Sequence, residues 1–288
     1  FEDDSYEQHA EDTFIAGQRY NDTEAVDTLV REGPHDVRRL MEWGVNFDKD
    51  ENGEIDLTLE GGHSRRRILH FKDSTGAEMV RGLIAQVEKR QNIEFKDNSY
   101  LCALTQVKSG FRADILINGS YESIFCSSCI LCTGGIGRIY QYTTNPKTAT
   151  GDGIRIAHEL GAKIKDLSFI QFHPTAFRSG EGERFLISES VRGEGAYLLN
   201  CNLERFMHRY DDRLELAPRD VVSKSIILES RRTGSNEYYL DIRHKPEAYL
   251  KERFPAIYAG CLRYGVDISK DLIPVFPCQH YLMGGIEV

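Results

Sequence analysis

The sequence has no apolar run near the roughly 20 residues that a membrane helix needs, and no charged-then-apolar leader at its start. A membrane role is not expected. It is short of positive charge: 36 Lys and Arg stand against 45 Asp and Glu, for a formal charge of −9. A field of that sign opposes nucleic acid and anionic lipid, so an anionic ligand would need a local cationic site. Seven cysteines, an odd number at mostly irregular spacings, do not make a secreted disulfide framework. A reducing, cytoplasmic setting fits better. Internal repeats and low-complexity tracts are also missing. What remains is an ordinary globular composition, 40% hydrophobic and 28% charged, in 288 residues. That is enough for one large or two ordinary domains. The chain opens on Phe1 and stops at "LMGGIEV" in strand-like sequence, so a piece of a longer protein is expected.

Residues 4–17 carry apolar positions near helical spacing. Asn21 can cap a second helix, with Glu24 as its reciprocal partner; Gly33 ends it and Pro34 opens a third helix through Trp43. "FDKDENGEIDLTL" is hairpin-like, and "STGAEMVRGLIAQVEKR" is an amphipathic helix beginning at Ser74 or Thr75. From 93 to 134 the pattern alternates: "IEFK", "YLCALTQVK", "RADILI" and "ESIFCS" read as strands, with "NGS" at 118–120 as a hairpin turn. "CILCTGG" reads as a buried strand running into a glycine turn. "TGDGIRIAHELGAKI" is a helix and a short strand. Beyond 168, "FIQFHPTAF" and "FLISES" are strand-like. "APRDVVSKSIILESRRTG" is a helix with Pro218 in its first turn and Gly234 past its end. "EYYLDI" is a strand, and "KPEAYLKERFPAIYAGCLRYG" is two short helices broken at Pro255. The class is α/β with α+β character. Domain boundaries are expected near 167 and 277, giving 1–167, 168–277 and 278–288.

Several stretches could carry chemistry. Cys126, Cys129 and Cys132 make C-x-x-C-x-x-C, part of an iron–sulfur ligand run without its fourth member. On a regular strand, residues three apart point to opposite faces, so small buried side chains are the better reading and no metal is expected. "TGGIGRIY" places glycines directly after a strand, and Gly151 and Gly153 flank Asp152 at a helix start. A helix N-terminus among glycines suits a diphosphate. An acid there suits a ribose or an amide. Taken singly, His173 in "QFHPTAF" reads as a core histidine. Ser188, Glu189, Arg192 and Glu194 in "SESVRGEGA" read as a surface ion-pair turn. Arg219 stands in a helix's first turn, where the dipole disfavours a cation. His280 sits near glycines in "QHYLMGG". "TLEGGHSRRRILH" is the oddest: Glu60 beside two glycines, then His63 and three consecutive arginines.

Those motifs stand in one order along the chain: "EGGHSRRRILH", "CTGGIGRIYQYTTNP", "TGDGIRIAHELGA", "FIQFHPTAF", "SESVRGEGAYL", "ELAPRDVV", "YLDIRHKP" and "HYLMGGI". Together they resemble the flavoprotein family of succinate dehydrogenase, fumarate reductase and L-aspartate oxidase, from about residue 4 to the end. The resemblance implies an FAD-binding α/β domain and a smaller capping domain at about 168–277, with the active site at their interface. It implies that Thr133, Gly134, Gly135, Gly151 and Asp152 approach FAD. It implies that His173, Ser188, Arg219 and His280 surround the substrate carboxylates, with Glu189 beside them; Ser188 stands where the family usually has Thr. Glu60 matches the acid that faces the substrate amino group in the aspartate-oxidising branch, where the succinate and fumarate enzymes usually read "FGG".

The implied reaction is flavin-dependent oxidation of L-aspartate to 2-iminosuccinate, the first step of de novo NAD biosynthesis. Oxygen or fumarate would accept the electrons, and quinolinate synthase would be a pathway partner. The alternative is a fumarate reductase or succinate dehydrogenase flavoprotein subunit. The family assigns the arginine matched by Arg219 to proton transfer. Arginine stays protonated in proteins, so a carboxylate clamp is the simpler role. Arg65, Arg66 and Arg67 are not assigned to the substrate individually; some of them are expected to pair with nearby acids such as Asp73 or Glu78. The resemblance also implies two parts that this sequence does not carry: a strand–G-x-G-x-x-G–helix for the FAD diphosphate, and a segment after the final glycines bearing a further substrate arginine. This piece alone is therefore not expected to hold FAD.

Overall fold

The computed structural model describes residues 4–60, 62–178 and 185–288. Gly61, in the "EGG" motif, lies outside the described residues. The chain divides into two compact units, Phe1–Gln91 with Pro174–Pro277 and Asn92–His173 with Cys278–Val288.

The first unit begins with α1 (Tyr6–Ala16), whose cap Ser5 accepts the Gln8 amide on its hydroxyl at 3.0 Å. α2 (Thr23–Glu42) is one helix where two were expected. Its N-cap is Asp22, not Asn21, and the Asp22 carboxylate accepts from the Ala25 amide at 3.0 Å. Gly33 does not take the left-handed conformation of a C-capping glycine. Pro34, with a helical φ of its own, forfeits one backbone bond inside the helix, and the buried face with Val26 and Val30 continues. β1 (Leu57–Thr58) pairs antiparallel with β2 (Ile68–Leu69), next to a Lys49–Ile55 bridge in the hairpin-like stretch. α3 (Thr75–Val87) follows Ser74, as the sequence indicates.

The second unit opens with a three-stranded antiparallel meander, β3 (Ser99–Val107), β4 (Gly110–Ile117) and β5 (Ser120–Cys126). Asn118 and Gly119, at φ 49 and 86, make the two-residue turn between β4 and β5. The "IEFK" stretch is irregular, not a strand. "CILCTGG" also departs from expectation. It forms no strand, Cys129 and Cys132 are exposed, and Ile130 is 88% exposed. Among the described residues no neighbouring strand takes up its backbone groups, and an unladdered backbone stays where water can reach it. α4 (Asp152–Glu159) leads to β6 (Ile164–Lys165).

β7 (Ile170–Phe177) carries the chain from the second unit back into the first. "FLISES" supplies only a bridge at Leu186 before α5 (Glu189–Gly193) begins, because Ser188 caps a helix there. β8 (Tyr197–Leu199) and α6 (Arg219–Thr233) follow, the latter held between Pro218 and a left-handed Gly234 at φ 69. Then come β9 (Tyr238–Asp241), α7 (Glu247–Arg253) and α8 (Pro255–Leu262), the last two separated at Pro255. β10 (Ile273–Leu282) returns to the second unit, where β11 (Gly285–Ile286) pairs with β6. The sheet order is β7-β10-β9-β8. The first unit's apolar core, including Phe177, Leu198, Phe206, Ile226, Leu240 and Phe254, packs α6 to α8 against this sheet. No helix among the described residues is long and apolar enough to cross a membrane.

Candidate functional site

In the first unit, the Ser188 hydroxyl accepts hydrogen bonds from the Ser190 amide at 3.3 Å and the Ser190 hydroxyl at 2.8 Å. That cap places Glu189 in the first turn of α5, buried to 5% exposure. Glu189 then meets two arginines. Arg219 Nε donates to its Oε2 at 2.5 Å, and Arg192 Nη2 lies 3.3 Å from its Oε1. Arg192 is 1% exposed and donates through Nη1 to the Glu215 carbonyl at 2.5 Å. The Glu215 carboxylate takes the fork of Arg205 at 2.9 and 2.6 Å and the Leu198 amide at 3.1 Å. "SESVRGEGA" is therefore an interior network, not a surface ion-pair turn. Burial pushes the Arg192 guanidinium below its ordinary pKa; Glu189 opposes that shift and Arg219 adds to it.

Glu60 follows β1, half-buried, in the electrostatic reach of the same groups. Burial pushes its pKa up and the Glu189 carboxylate pushes it further, while Arg219, Arg253 and His70 pull it down. An acid raised in this way gains from any ligand cation that restores its charge. Glu60, Ser188, Glu189 and Arg219, read separately along the sequence, thus belong to one unit together with Arg192, whose importance went unseen. Its signal was present: an arginine three residues after an acid within a short helix.

The arginine triplet resolves differently from expectation. Arg67 grips Asp4 through Nε and Nη2, both at 2.8 Å, and Asp12 through Nη1 at 2.5 Å. Asp73 instead accepts the amides of Ala256 and Ile257 at α8, and Glu78 binds Arg81 and Asn46. Those acids are spent on nearer donors. Arg66 reaches the Leu57 carbonyl at 3.4 Å.

In the second unit, Gly134 and Gly151 take left-handed φ values of 73 and 83. The Gly151 amide donates to the Gly135 carbonyl at 3.1 Å, tying the two glycine turns together at the start of α4. A Cβ at Gly153 would lie 1.8 Å from Thr133 Oγ1, so only glycine allows this approach, whereas a Cβ at Gly134 would meet nothing within 4 Å. Asp152 accepts from the Tyr100 hydroxyl at 2.7 Å and from the Thr150 hydroxyl. These bonds, Thr150 first, hold its pKa below the usual range. Bare glycine backbone opening above a helix N-terminus fits the polar portion of a dinucleotide cofactor.

His173 is fully buried, and its ring stands 5.3 Å from that of His280 at 65°. Thr144 Oγ1 lies 3.4 Å from His280 Nδ1, and Asn145 Nδ2 donates to the His280 carbonyl at 2.7 Å. The Thr143 hydroxyl donates to Gln279 Oε1 at 2.6 Å. The "TTNP" segment is thus a holder for the His280 strand, a part that sequence reading did not assign. Among the described residues, no group of three or more His, Cys, Asp or Glu side chains could hold a metal ion.

The chain matches the FAD binding domain family along residues 1–288. The L-aspartate oxidase of Clostridium perfringens (strain 13 / Type A) is 44% identical over 291 residues, covering 99% of this chain and 64% of that protein. The chloroplastic L-aspartate oxidase 2-b of Nicotiana tabacum is 43% identical over 301 residues, covering 99% of this chain and 46% of that protein. Among solved structures, a variant of E. coli quinol fumarate reductase FrdA aligns with a TM-score of 0.91 at 31% identity, over 99% of this chain and 52% of its own. The chain spans about half the length of the relatives it matches.

Proposed function

We propose, from the premise that the chain belongs to the FAD binding domain family, that the protein carrying it oxidises L-aspartate to iminosuccinate. The observation that carries this reading is Glu60, a half-buried acid of raised pKa beside the Glu189–Arg219 pair. A dicarboxylate needs cations and hydrogen-bond donors; only an amino dicarboxylate also needs an acid. Similarity to L-aspartate oxidases over 99% of the chain supports the same reading.

The flavin, when bound, supplies the two-electron acceptor. Thr133, Gly134, Gly135, Gly151 and Asp152 are the residues proposed to hold it. Arg219 is proposed as a carboxylate clamp, permanently charged, with Glu189 fixing the Nε side of its fork. Ser188 Oγ already accepts twice, which leaves its own hydrogen to donate to a substrate carboxylate. His173 and His280 are proposed as further hydrogen-bonding groups for the dicarboxylate. Glu60, ionised, accepts from the substrate ammonium. The same proposal makes residues 168–277 the capping domain, fumarate or oxygen the electron acceptor, the cytoplasm the setting, and quinolinate synthase the consumer of the product in NAD biosynthesis. The fumarate reductase or succinate dehydrogenase reading draws on the likeness to E. coli quinol fumarate reductase. Glu60 weighs against it, because a negative group repels a dicarboxylate that has no amine.

Glu60→Gln in the full-length protein tests the choice. It removes a charge-assisted bond of roughly 1.5–3 kcal/mol, so kcat/KM for L-aspartate should fall about tenfold to hundredfold. Fumarate reduction should be unchanged or improved. Since the carboxylate form is the one that binds ammonium, wild-type kcat/KM for L-aspartate should decline as pH drops through a value above the ordinary glutamate range. The glutamine variant should lack that limb. An equal fall with both substrates would make Glu60 an organiser of the site; no fall with either would put the succinate or fumarate reading ahead.

A further inference from the structure

Glu60 has to be held at a fixed place relative to Arg219 and Glu189, yet it follows a two-residue strand and precedes glycines. The restraint lies four residues on. One oxygen of Asp12, Oδ2, accepts three hydrogen bonds: from the Ser64 amide at 2.9 Å, the Ser64 hydroxyl at 2.8 Å and Arg67 Nη1 at 2.5 Å. Its other oxygen takes Gln8 Nε2 at 3.2 Å, a neighbour one turn away on α1. Arg67 completes its coordination on Asp4 and lies 3.1 Å from His63 Nδ1. Arginine only donates, so His63 Nδ1 accepts and its proton sits on Nε2. The His63 amide in turn donates to the Glu60 carbonyl at 3.2 Å. On the other side, a Cβ at Gly193 of α5 would stand 3.4 Å from the Leu59 carbonyl. The segment carrying Glu60 is therefore tied to α1 at one end and packed on α5 at the other.

We propose that Asp12, Ser64 and Arg67 form a positioning anchor that sets Glu60 for the substrate's ammonium group, an inference that rests on the L-aspartate reading above. The anchor acts through Glu60 and touches no substrate. Burial alone would raise the Asp12 pKa, but the bonds from Ser64 and Arg67 outweigh it and hold Asp12 at about 2. The anchor thus stays ionised throughout the neutral range and does not act as a switch. The arginine run is accounted for at one of its three positions: Arg67 is bound to Asp12 of α1 and to Asp4 just before it. The proposed consequence is selectivity. A shift of about 1 Å at Glu60 would weaken recognition of the amine on the order of tens-fold to a hundredfold, while a dicarboxylate without an amine would not notice it.

The test uses the full-length, flavin-loaded protein. Ser64→Ala deletes one bond of the anchor and leaves its charges; Asp12→Asn removes the acid; Ser64→Thr keeps the hydroxyl. For Ser64→Ala, kcat/KM with L-aspartate should fall roughly tenfold and fumarate reduction should change little. Amide hydrogen exchange over residues 59–64 should quicken, with α6 unaffected. Asp12→Asn should show the same pattern more strongly, and Ser64→Thr should restore wild-type selectivity. Equal falls with both substrates, or unchanged selectivity with unchanged exchange, would overturn the anchor. A wild-type protein that does not oxidise L-aspartate would overturn the reading beneath it, and the exchange measurement would then still decide whether Asp12 and Ser64 restrain the segment.

Discussion

"SESVRGEG" at 188–195 and "CSSCILCTGG" at 126–135 exchange places between sequence and structure. The first is rich in charge and belongs outside by composition; it is inside, with Arg192 at 1% exposure. The second is apolar and small and belongs inside; Ile130 is 88% exposed. Hydrophobicity sets a preference, but partners decide. Arg192 can be buried because Glu189 and the Glu215 carbonyl are in place to meet it. Ile130 stays out because, among the described residues, no strand satisfies the backbone around it.

The comparison can be broken first at Arg192. Arg192→Ala removes one side of a buried ion pair and leaves Glu189 undercompensated, a loss of about 3–5 kcal/mol. Urea denaturation of the chain should show the midpoint fall accordingly; a loss below about 1 kcal/mol would return the turn to the surface class. Arg219→Lys probes the partner that is 30% exposed. Stability should change little, but in the full-length protein kcat/KM for L-aspartate should fall about a hundredfold, with kcat affected, because lysine lacks the planar fork that orients a carboxylate. A raised KM at unchanged kcat would reduce Arg219 to a uniform binding contact. The smallest effect belongs to the exposed segment. Ile130→Ser in this chain should alter stability by no more than about 0.5 kcal/mol. A loss above about 1 kcal/mol would mean that the segment is covered.

What was legible in the sequence follows the same division. The β4–β5 turn, the α6 boundaries at Pro218 and Gly234, and the break at Pro255 were readable because each depends on a residue's own backbone preference. So were the glycines at 134 and 151. The residues now clustered around Glu189 were individually weak signals, because Glu60, Glu189 and Arg219 come from distant parts of the chain. Only the order of whole motifs made them one set. The partners of Arg67 were not legible for the same reason: its acids, Asp4 and Asp12, lie more than fifty residues earlier, whereas Asp73 and Glu78 are near in sequence and taken by other donors. The unbroken α2 shows the opposite error, where a strong local signal at Gly33–Pro34 yielded to the continuing helix.

The first unit is discontinuous, with the whole second unit's meander spliced between its two segments. That has a consequence for biosynthesis. A ribosome adds roughly 5–20 residues per second, so Glu60 emerges on the order of ten seconds or more before Arg219 exists to meet it. The main apolar cluster is drawn from residues 177 to 275, so α1, α2 and α3 wait throughout that interval without the rest of the unit they belong to. The three-stranded meander, whose pairings are all between sequence neighbours, can form as soon as it is extruded. The nascent chain therefore carries a finished meander between two unfinished units, since the second unit too is closed only when residues 278–288 bring β11 to β6.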